Sequence, residues 1–344
     1  MILVTGATGL VGSFLILELL KKGRTVRALK RRTSDLTMIR NVFGRYAENA
    51  DDLFSRIEWM DGDILDIFSL DDSMEGVGEV YHCAALVSFL PGDRRKLMKV
   101  NVEGTANVVN AALEKKISKL CHVSSIAALG RPENQNEVID ESLIWKTSKN
   151  NSNYAVSKYG AEREVWRGVA EGLDAVIVNP SVILGVAGPS MGSSRLFNVV
   201  WEGLKLYPPG QNGFVDVRDV AAAMVLLMES DIRNERFILN AENVTYKRLF
   251  DLIAEGFGKK GPQFGVNPFL SGLSWRVEKI LSLLKSRKPL VTRETARTAV
   301  QRYEYSNQKI RRALSFEFIS IEETIRHFCG VYRDSLQEGL HPRK

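Results

Sequence analysis

Through the first 180 residues, short apolar runs near 1–5, 24–29, 56–60, 78–84, 119–124 and 174–179 alternate with longer stretches of helical periodicity, the clearest at 10–21, 97–115 and 154–171. A helix between successive apolar runs carries the chain back to begin the next strand in the same direction. The pattern therefore predicts an α/β fold: a doubly wound parallel sheet covered by helices on both faces.

After Pro180 the alternation loosens. Gly185, Gly188-Pro189, Pro208-Pro209-Gly210 and Gly213 mark loops, and helical patterns at about 191–204, 217–229, 246–257 and 272–285 lack regular strand partners. A chain of 344 residues also exceeds what one hydrophobic core usually serves. The expected division is a nucleotide-type domain over 1–180, with later returns of the chain at about 214–240, and a smaller mixed region over 181–344.

Composition enters mainly through charge. The net charge is +6, yet residues 271–315 hold eleven Lys/Arg against Glu278, Glu294 and Glu304, so the remainder is slightly acidic. A solvated face is the plain reading of that segment, and attraction of an anionic substrate or lipid surface is the alternative. No basic-aromatic module points to nucleic acid. No apolar run reaches the roughly 18 residues of a spanning helix, and Met1-Ile2-Leu3-Val4 reads as strand rather than signal peptide. The expected location is the cytoplasm. Cys83, Cys121 and Cys329 lack metal-ligand spacing and read as reduced packing residues, and the four histidines are scattered, so no metal site is expected.

Between the first strand and its helix lies Thr5-Gly6-Ala7-Thr8-Gly9-Leu10-Val11-Gly12. Glycines there let the backbone turn tightly and approach a pyrophosphate, with the helix N-terminus supplying free N–H groups. Gly6, Thr8, Gly9, Leu10, Val11 and Gly12 are thus candidate cofactor contacts, in a Gly-x-x-Gly-x-x-Gly spacing one residue longer than the usual fingerprint. A dinucleotide without a 2′-phosphate meets Asp or Glu at the end of the second strand. This chain has Arg27-Ala28-Leu29-Lys30-Arg31-Arg32 instead. Cations suit a phosphate, so NADP(H) is favoured over NAD(H), with Arg31 first and Lys30 and Arg32 as helpers; Arg27 is either part of this set or an exposed strand residue. Asp63, with Ile64 beside it, follows the third strand, where a carboxylate either accepts from the adenine amino group or caps a helix at 66–75. Ala84 and Ala85 are small enough for close approach of the cofactor. Asn101 is a further candidate contact, or an ordinary polar residue on its helix.

Strand five ends in Val123-Ser124-Ser125, and Tyr154-Ala155-Val156-Ser157-Lys158 opens the third clear helix. Positions i and i+4 share a helix face, so the Lys158 ammonium is expected beside the Tyr154 phenol, lowering a pKa that is ordinarily near ~10. With Ser125 donating to a carbonyl and Tyr154 supplying the proton, the three form a reduction site.

These motifs, with Asp61-Gly62-Asp63, His82-Cys83-Ala84-Ala85, Asn101-Val102-x-Gly104-Thr105, Asn179-Pro180-Ser181 and Phe214 to Ala221, resemble the extended short-chain dehydrogenase/reductase superfamily over nearly the whole chain. The resemblance implies a Rossmann domain with a small C-terminal substrate domain, a second role for Lys158 on the nicotinamide ribose, and Pro180, Val182 and Ile183 at the nicotinamide end of the pocket. Within that branch the basic end of strand two looks like dihydroflavonol reductases, with hydroxysteroid dehydrogenases nearby. Sugar-nucleotide dehydratases carry Asp-Glu after the catalytic hydroxyl, where this chain has Ile126-Ala127. Epimerases tend to carry Arg-Tyr-x-Asn where it has Asn179-Pro180-Ser181-Val182.

The expectation is an NADPH-dependent reductase of a hydrophobic or aromatic ketone or aldehyde, reversible as alcohol oxidation. The alternatives are an epimerase and a non-catalytic cofactor sensor. Val87-Ser88-Phe89 and Leu184 to Pro189 are expected as pocket wall. An amphipathic pattern from Phe269 to Leu284 reads as a pocket lid, with peripheral membrane contact the lesser alternative. Family likeness also implies a homodimer.

Overall fold

The computed structural model describes residues 1–132, 134, 137–148, 151–186, 193–266 and 297–337. Strands β1 (Ile2–Thr5), β2 (Val26–Lys30), β3 (Glu58–Asp61), β4 (Glu79–His82), β5 (Lys119–Val123) and β6 (Ala175–Pro180) follow the apolar runs. They are followed by β7 (Val182–Leu184), β8 (Leu206–Tyr207), β9 (Gln211–Asp216), β10 (Glu235–Leu239), β11 (Glu242–Thr245) and β12 (Phe264–Gly265). The main sheet has the order β10-β6-β5-β4-β1-β2-β3 and is parallel throughout. Strand order reverses between β1 and β4, which opens a crevice at the carboxyl ends of these strands.

Alternation along the strands loads both faces. Ile2, Val4, Tyr81, Cys121 and Val178 enter one core, while Leu3, Val80, Leu120 and Ile177 enter the other. Helices α1 (Leu10–Lys21), α2 (Thr37–Tyr46), α3 (Ala50–Ser55) and α4 (Ile67–Ser73) precede β4; α5 (Arg94–Leu97), α6 (Gly104–Glu114) and α7 (Asn153–Ala170) precede β6. Then come α8 (Ser194–Trp201), α9 (Val217–Glu229), α10 (Tyr246–Gly256), α11 (Gln308–Leu314) and α12 (Ile321–Gln337). The first core runs from α1 and α9 beneath the sheet into α8, α10 and α12 through Phe197, Leu249, Ile253 and Phe328, so the C-terminal helices share it. The second core is closed by α4, α6 and α7.

Three local departures matter for the site. β4 stops at His82 rather than continuing to 84, because Cys83 and Ala84 fold against Gly6. The helix expected over 97–115 is α5 and α6 joined by a wider π-type turn at Met98–Glu103, which carries Asn101. The sheet also continues beyond β6 through β10, and a small sheet β11-β9-β7 stands beside it. Helices expected at 217–229 and 246–257 are α9 and α10, while the expected 191–204 shortens to α8. The amphipathic segment at 272–285, the basic stretch up to 296 and Gly188-Pro189 lie outside the described residues. No helix among the described residues is long and apolar enough to cross a membrane.

Candidate active site

The glycine turn is held by steric necessity. Gly6 has φ +66, and a Cβ there would lie 2.6 Å from the Ala84 nitrogen. A Cβ on Gly12 would lie 2.3 Å from the Gly6 carbonyl oxygen. Gly9 precedes α1 with no side-chain cap, leaving the first-turn amides of Leu10 and Val11 at the positive end of the helix dipole for an anion. Thr8 and Leu10 are half-buried on the rim, and a Cβ at Gly185 would come within 3.2 Å of the Leu10 methyls, so the turn abuts the segment after β7. A backbone cradle that any side chain would fill, at the switch point of a parallel sheet, fits a dinucleotide pyrophosphate.

At the end of β2 the three cations separate. The Lys30 ammonium is bound to the Asp61 carboxylate, and Arg32, 90% exposed, has its Nε 4.0 Å from the other Asp61 oxygen. Arg31 is exposed, its backbone is tied to Ser34 at 3.1 and 2.9 Å, and its guanidinium makes no ion pair among the described residues. The open cation is therefore Arg31, with Lys30 already partnered. Arg27 straps β2 to its neighbours through Glu58 and the carbonyls of Ser73 and Glu75. We expect Arg31→Asp to weaken NADPH binding about tenfold or more, through loss of a charge-assisted phosphate contact, with NADH affinity within about threefold. Calorimetric titration of both nucleotides checks this, and an unaltered affinity ratio removes Arg31 from the phosphate site.

Asp63 is not the cap of the following helix. That role belongs to Asp66, whose carboxylate accepts from the Phe68 amide, while Asp63 Oδ1 accepts from Leu65 N–H at 3.0 Å. Its Oδ2 has no partner among the described residues, and Ile64 is buried against Gly104.

Beneath the turn runs a directed chain of hydrogen bonds. Thr105 gives its hydroxyl proton to the Asn101 carbonyl at 2.6 Å, so at 2.9 Å it accepts from His82 Nε2–H. His82 Nδ1 then accepts from Thr5 at 2.7 Å, and Thr5 accepts from Ala84 N–H at 3.3 Å. The geometry defines a neutral imidazole, and burial, then the Lys158 charge, pushes its pKa down to about 3. His122 packs beside it with ring centroids 5.1 Å apart; neither of its ring nitrogens has a partner among the described residues. Asn101 uses its side chain inside the protein: it accepts from Leu86 N–H and donates to the Leu86 carbonyl and to Ser157. It clips the loop after β4 to α7. Ala85 is exposed and Ala84 half-buried along the crevice.

Ser125 begins a 3₁₀ turn at Ile126–Leu129 and accepts from Ala127 N–H at 3.1 Å. Tyr154 lies in the first turn of α7, which Ser152 caps, and its phenol stands near enough to the Ser125 side chain to feel it electrostatically. Burial raises the phenol's pKa and the Ser125 contact opposes that rise. Lys158 is buried, with Nζ donating to the Val123 carbonyl at 2.7 Å. Burial lowers its pKa to about 8, against the raising influence of Glu162 and Cys83. The structure thus sets Ser125 beside Tyr154 and sends the ammonium to the strand end beneath them, whereas helix spacing alone had placed it against the phenol. Pro180 is buried at the end of β6; Val182 and Ile183 are half-buried in β7, beside Phe214 and Val215 of β9.

Two features escaped the sequence. Phe89, 37% exposed, sets its ring edge-to-face with Tyr154 at 5.4 Å. Glu162, one turn beyond Lys158, is buried and paired with Arg236. The signal for Glu162 was a carboxylate four residues after Lys158 on the same helix face. For Phe89 only its place in the predicted wall hinted at contact.

The profile of the NAD dependent epimerase/dehydratase family matches residues 2–240. The chain is 32% identical over 270 residues to "Sterol demethylase protein B" of Methylococcus capsulatus, covering 78% of each chain. It is 30% identical over 329 residues to the "Putative dihydroflavonol 4-reductase" of a Synechocystis species, covering 94% of this chain and 91% of that one. Among solved structures, gox2253 superposes with a TM-score of 0.80 at 30% identity, with 99% of each chain covered.

Proposed function

From the premise that this chain belongs to the NAD-dependent epimerase/dehydratase family, we propose that it is an NADPH-dependent reductase of ketones or aldehydes in hydrophobic or aromatic small molecules. The observation that carries the reading is that Ser125, Tyr154 and Lys158 come together at the carboxyl edge of β5, with Lys158 Nζ on the Val123 carbonyl at 2.7 Å, in the crevice that the glycine turn opens. The first 180 residues and the return near 214–240 hold the nucleotide, and the chain from 181 onward supplies the substrate side.

When bound, NADPH supplies a hydride. Gly6, Gly9 and Gly12 would admit its pyrophosphate, Arg31 would meet the 2′-phosphate, and the Asp63 carboxylate would accept from the adenine amino group. Ser125 orients a carbonyl oxygen and Tyr154 delivers a proton to it, so the alkoxide never carries a full charge. Lys158, buried and cationic below its pKa, provides the positive potential under this proton donor. Phe89 and Val87 of the loop after β4 present exposed apolar surface, the Phe89 ring lying against Tyr154, while Ile126 and Leu129 after Ser125 are buried in an apolar cluster with Tyr305. Such walls suit a flat or hydrophobic carbonyl compound.

The test is NADPH oxidation with a panel of aromatic, steroidal and aliphatic ketones and aldehydes. Turnover that favours the aromatic and steroidal members supports the reading; interconversion of isomers without net NADPH consumption sinks it in favour of epimerisation. A pH profile adds an independent check. Lys158 is charged below about 8, and kcat/KM for NADPH reports groups of the free enzyme. That parameter should be level from pH 6 to 7 and fall about tenfold per unit above about 8. A profile rising through that range contradicts the charge assigned to Lys158. On family likeness we also propose a cytoplasmic homodimer.

A further inference from the structure

Glu162 is 2% exposed and sits one helical turn past Lys158 on α7. Its Oε2 accepts from Ser124 Oγ at 2.7 Å and from Asn179 Nδ2 at 2.9 Å. Asn179 Nδ2 also donates to the Ser125 carbonyl at 3.1 Å. Its Oε1 accepts from Arg236 Nη1 at 3.0 Å, and Arg236 in turn holds the carbonyls of Glu141 and Leu143. One carboxylate therefore grips both sides of Ser125: the neighbouring hydroxyl directly and, through Asn179, the backbone of Ser125 itself. A buried charge is costly unless paired and fully hydrogen-bonded, and a fold staple alone would need only neutral polar groups. Here the charge stands beside the active-site ammonium.

We propose that Glu162 is the positioning residue of this site: it locks the strand end bearing Ser125 to the helix bearing Tyr154 and Lys158, and sets a buried carboxylate one helical turn from the Lys158 ammonium. The inference rests on the reductase reading only for its kinetic readout. The other titratable groups around the ammonium are His82 and Cys83 from β4 and its end, and His122 from β5, all kept uncharged by burial, with Tyr154 on its own helix. Glu162, whose direct ion pair is with Arg236 at 3.0 Å, is the nearby carboxylate that favours the charged form of Lys158.

Glu162→Gln keeps the shape and removes the charge. In ¹³C-lysine-labelled protein, with the Lys158 signal assigned through Lys158→Met, the titration midpoint should move about one pH unit lower. The alkaline limb of activity should move with it and kcat at pH 7 should fall about tenfold, while KM and NADPH affinity stay within about threefold. An unmoved midpoint, or losses of kcat, nucleotide affinity and folded fraction in equal measure, overturns the proposal. Should the variant fail to fold, Ser124→Ala removes one grip and leaves the charge. It should lower kcat about fivefold with NADPH affinity unchanged, and a wild-type kcat overturns the grip on Ser125. Wild-type protein inert toward every ketone refutes the reductase reading instead, and the Lys158 titration then decides the role of Glu162 by itself.

Discussion

Replacing Tyr154 with phenylalanine should lower kcat about a thousandfold, the middle of the range for a lost general acid. The phenol stands beside Ser125, and the nearby Lys158 ammonium is committed to the Val123 carbonyl. Serine remains to orient a carbonyl, yet its hydroxyl is a much weaker proton source. The phenylalanine ring keeps the edge contact with Phe89 at 5.4 Å, so packing is preserved. NADPH affinity should stay within about threefold, since the pyrophosphate and 2′-phosphate contacts lie elsewhere. Stopped-flow hydride transfer with fluorescence titration of NADPH separates chemistry from binding. A kcat within tenfold of wild type removes Tyr154 from the proton-transfer step.

The second large effect is loss of stability in mild acid. His82 and His122 are buried and neutral, with pKa values driven below the ordinary 6.5, to about 3 for His82. Below pH 6.5 the unfolded chain takes up protons that the folded one refuses. Stability is therefore whole above 6.5 and falls as pH drops toward the folded values, by about 1.4 kcal/mol per pH unit for each ring. Asp219 works in the opposite direction. Burial raises it to about 7, so the folded state gains a proton between that value and the carboxylate's ordinary range, and stability rises there as pH falls. Asp219 offsets one imidazole; burial also lowers the His327 pKa and raises that of Glu141, which act in opposite directions, so the net loss between pH 6.5 and 5 is on the order of 1.4 kcal/mol per unit. Urea unfolding at half-unit intervals measures the slope. His122→Leu should flatten it, and because both ring nitrogens of His122 lack partners among the described residues, stability at pH 7.5 should not drop below that expected for lost packing alone. A midpoint constant from pH 7.5 to 5 in the wild type contradicts the buried neutral pair.

Much of the architecture was written locally. β1, the glycine turn and α1 could be placed because a tight turn and helix entry depend on residues a few positions apart, and α9 and α10 matched their expected spans. β7, β8, β11 and β12 are short, and β9 and β10, though as long as the earlier strands, follow no regular alternation with helices, so the sequence pattern did not single them out. The site divides in the same way. Tyr154 and Lys158 could be named from a four-residue interval, but the direction of the lysine could not, because the Val123 carbonyl that receives it lies 35 positions away. Lys30 stood as a helper to Arg31, and only β3, which brings Asp61 beside it, shows its ammonium already partnered. Asn101 gave no sign in the sequence that its side chain would bond the loop after β4 and Ser157 of α7, since Leu86 and Ser157 lie 15 and 56 positions away.

By itself the sequence determined the fold class, the family and which side chains have the chemistry to move a proton, since periodicity and short spacing are properties of neighbouring residues. The tertiary structure alone decided where that proton donor's partners come from: Glu162 with Arg236, Phe89 on Tyr154, and Thr5 with His82 and Thr105. Each unites strands or helices far apart in the chain, and burial, which sets both the strength of a charge and the cost of leaving it alone, exists only once those elements have packed.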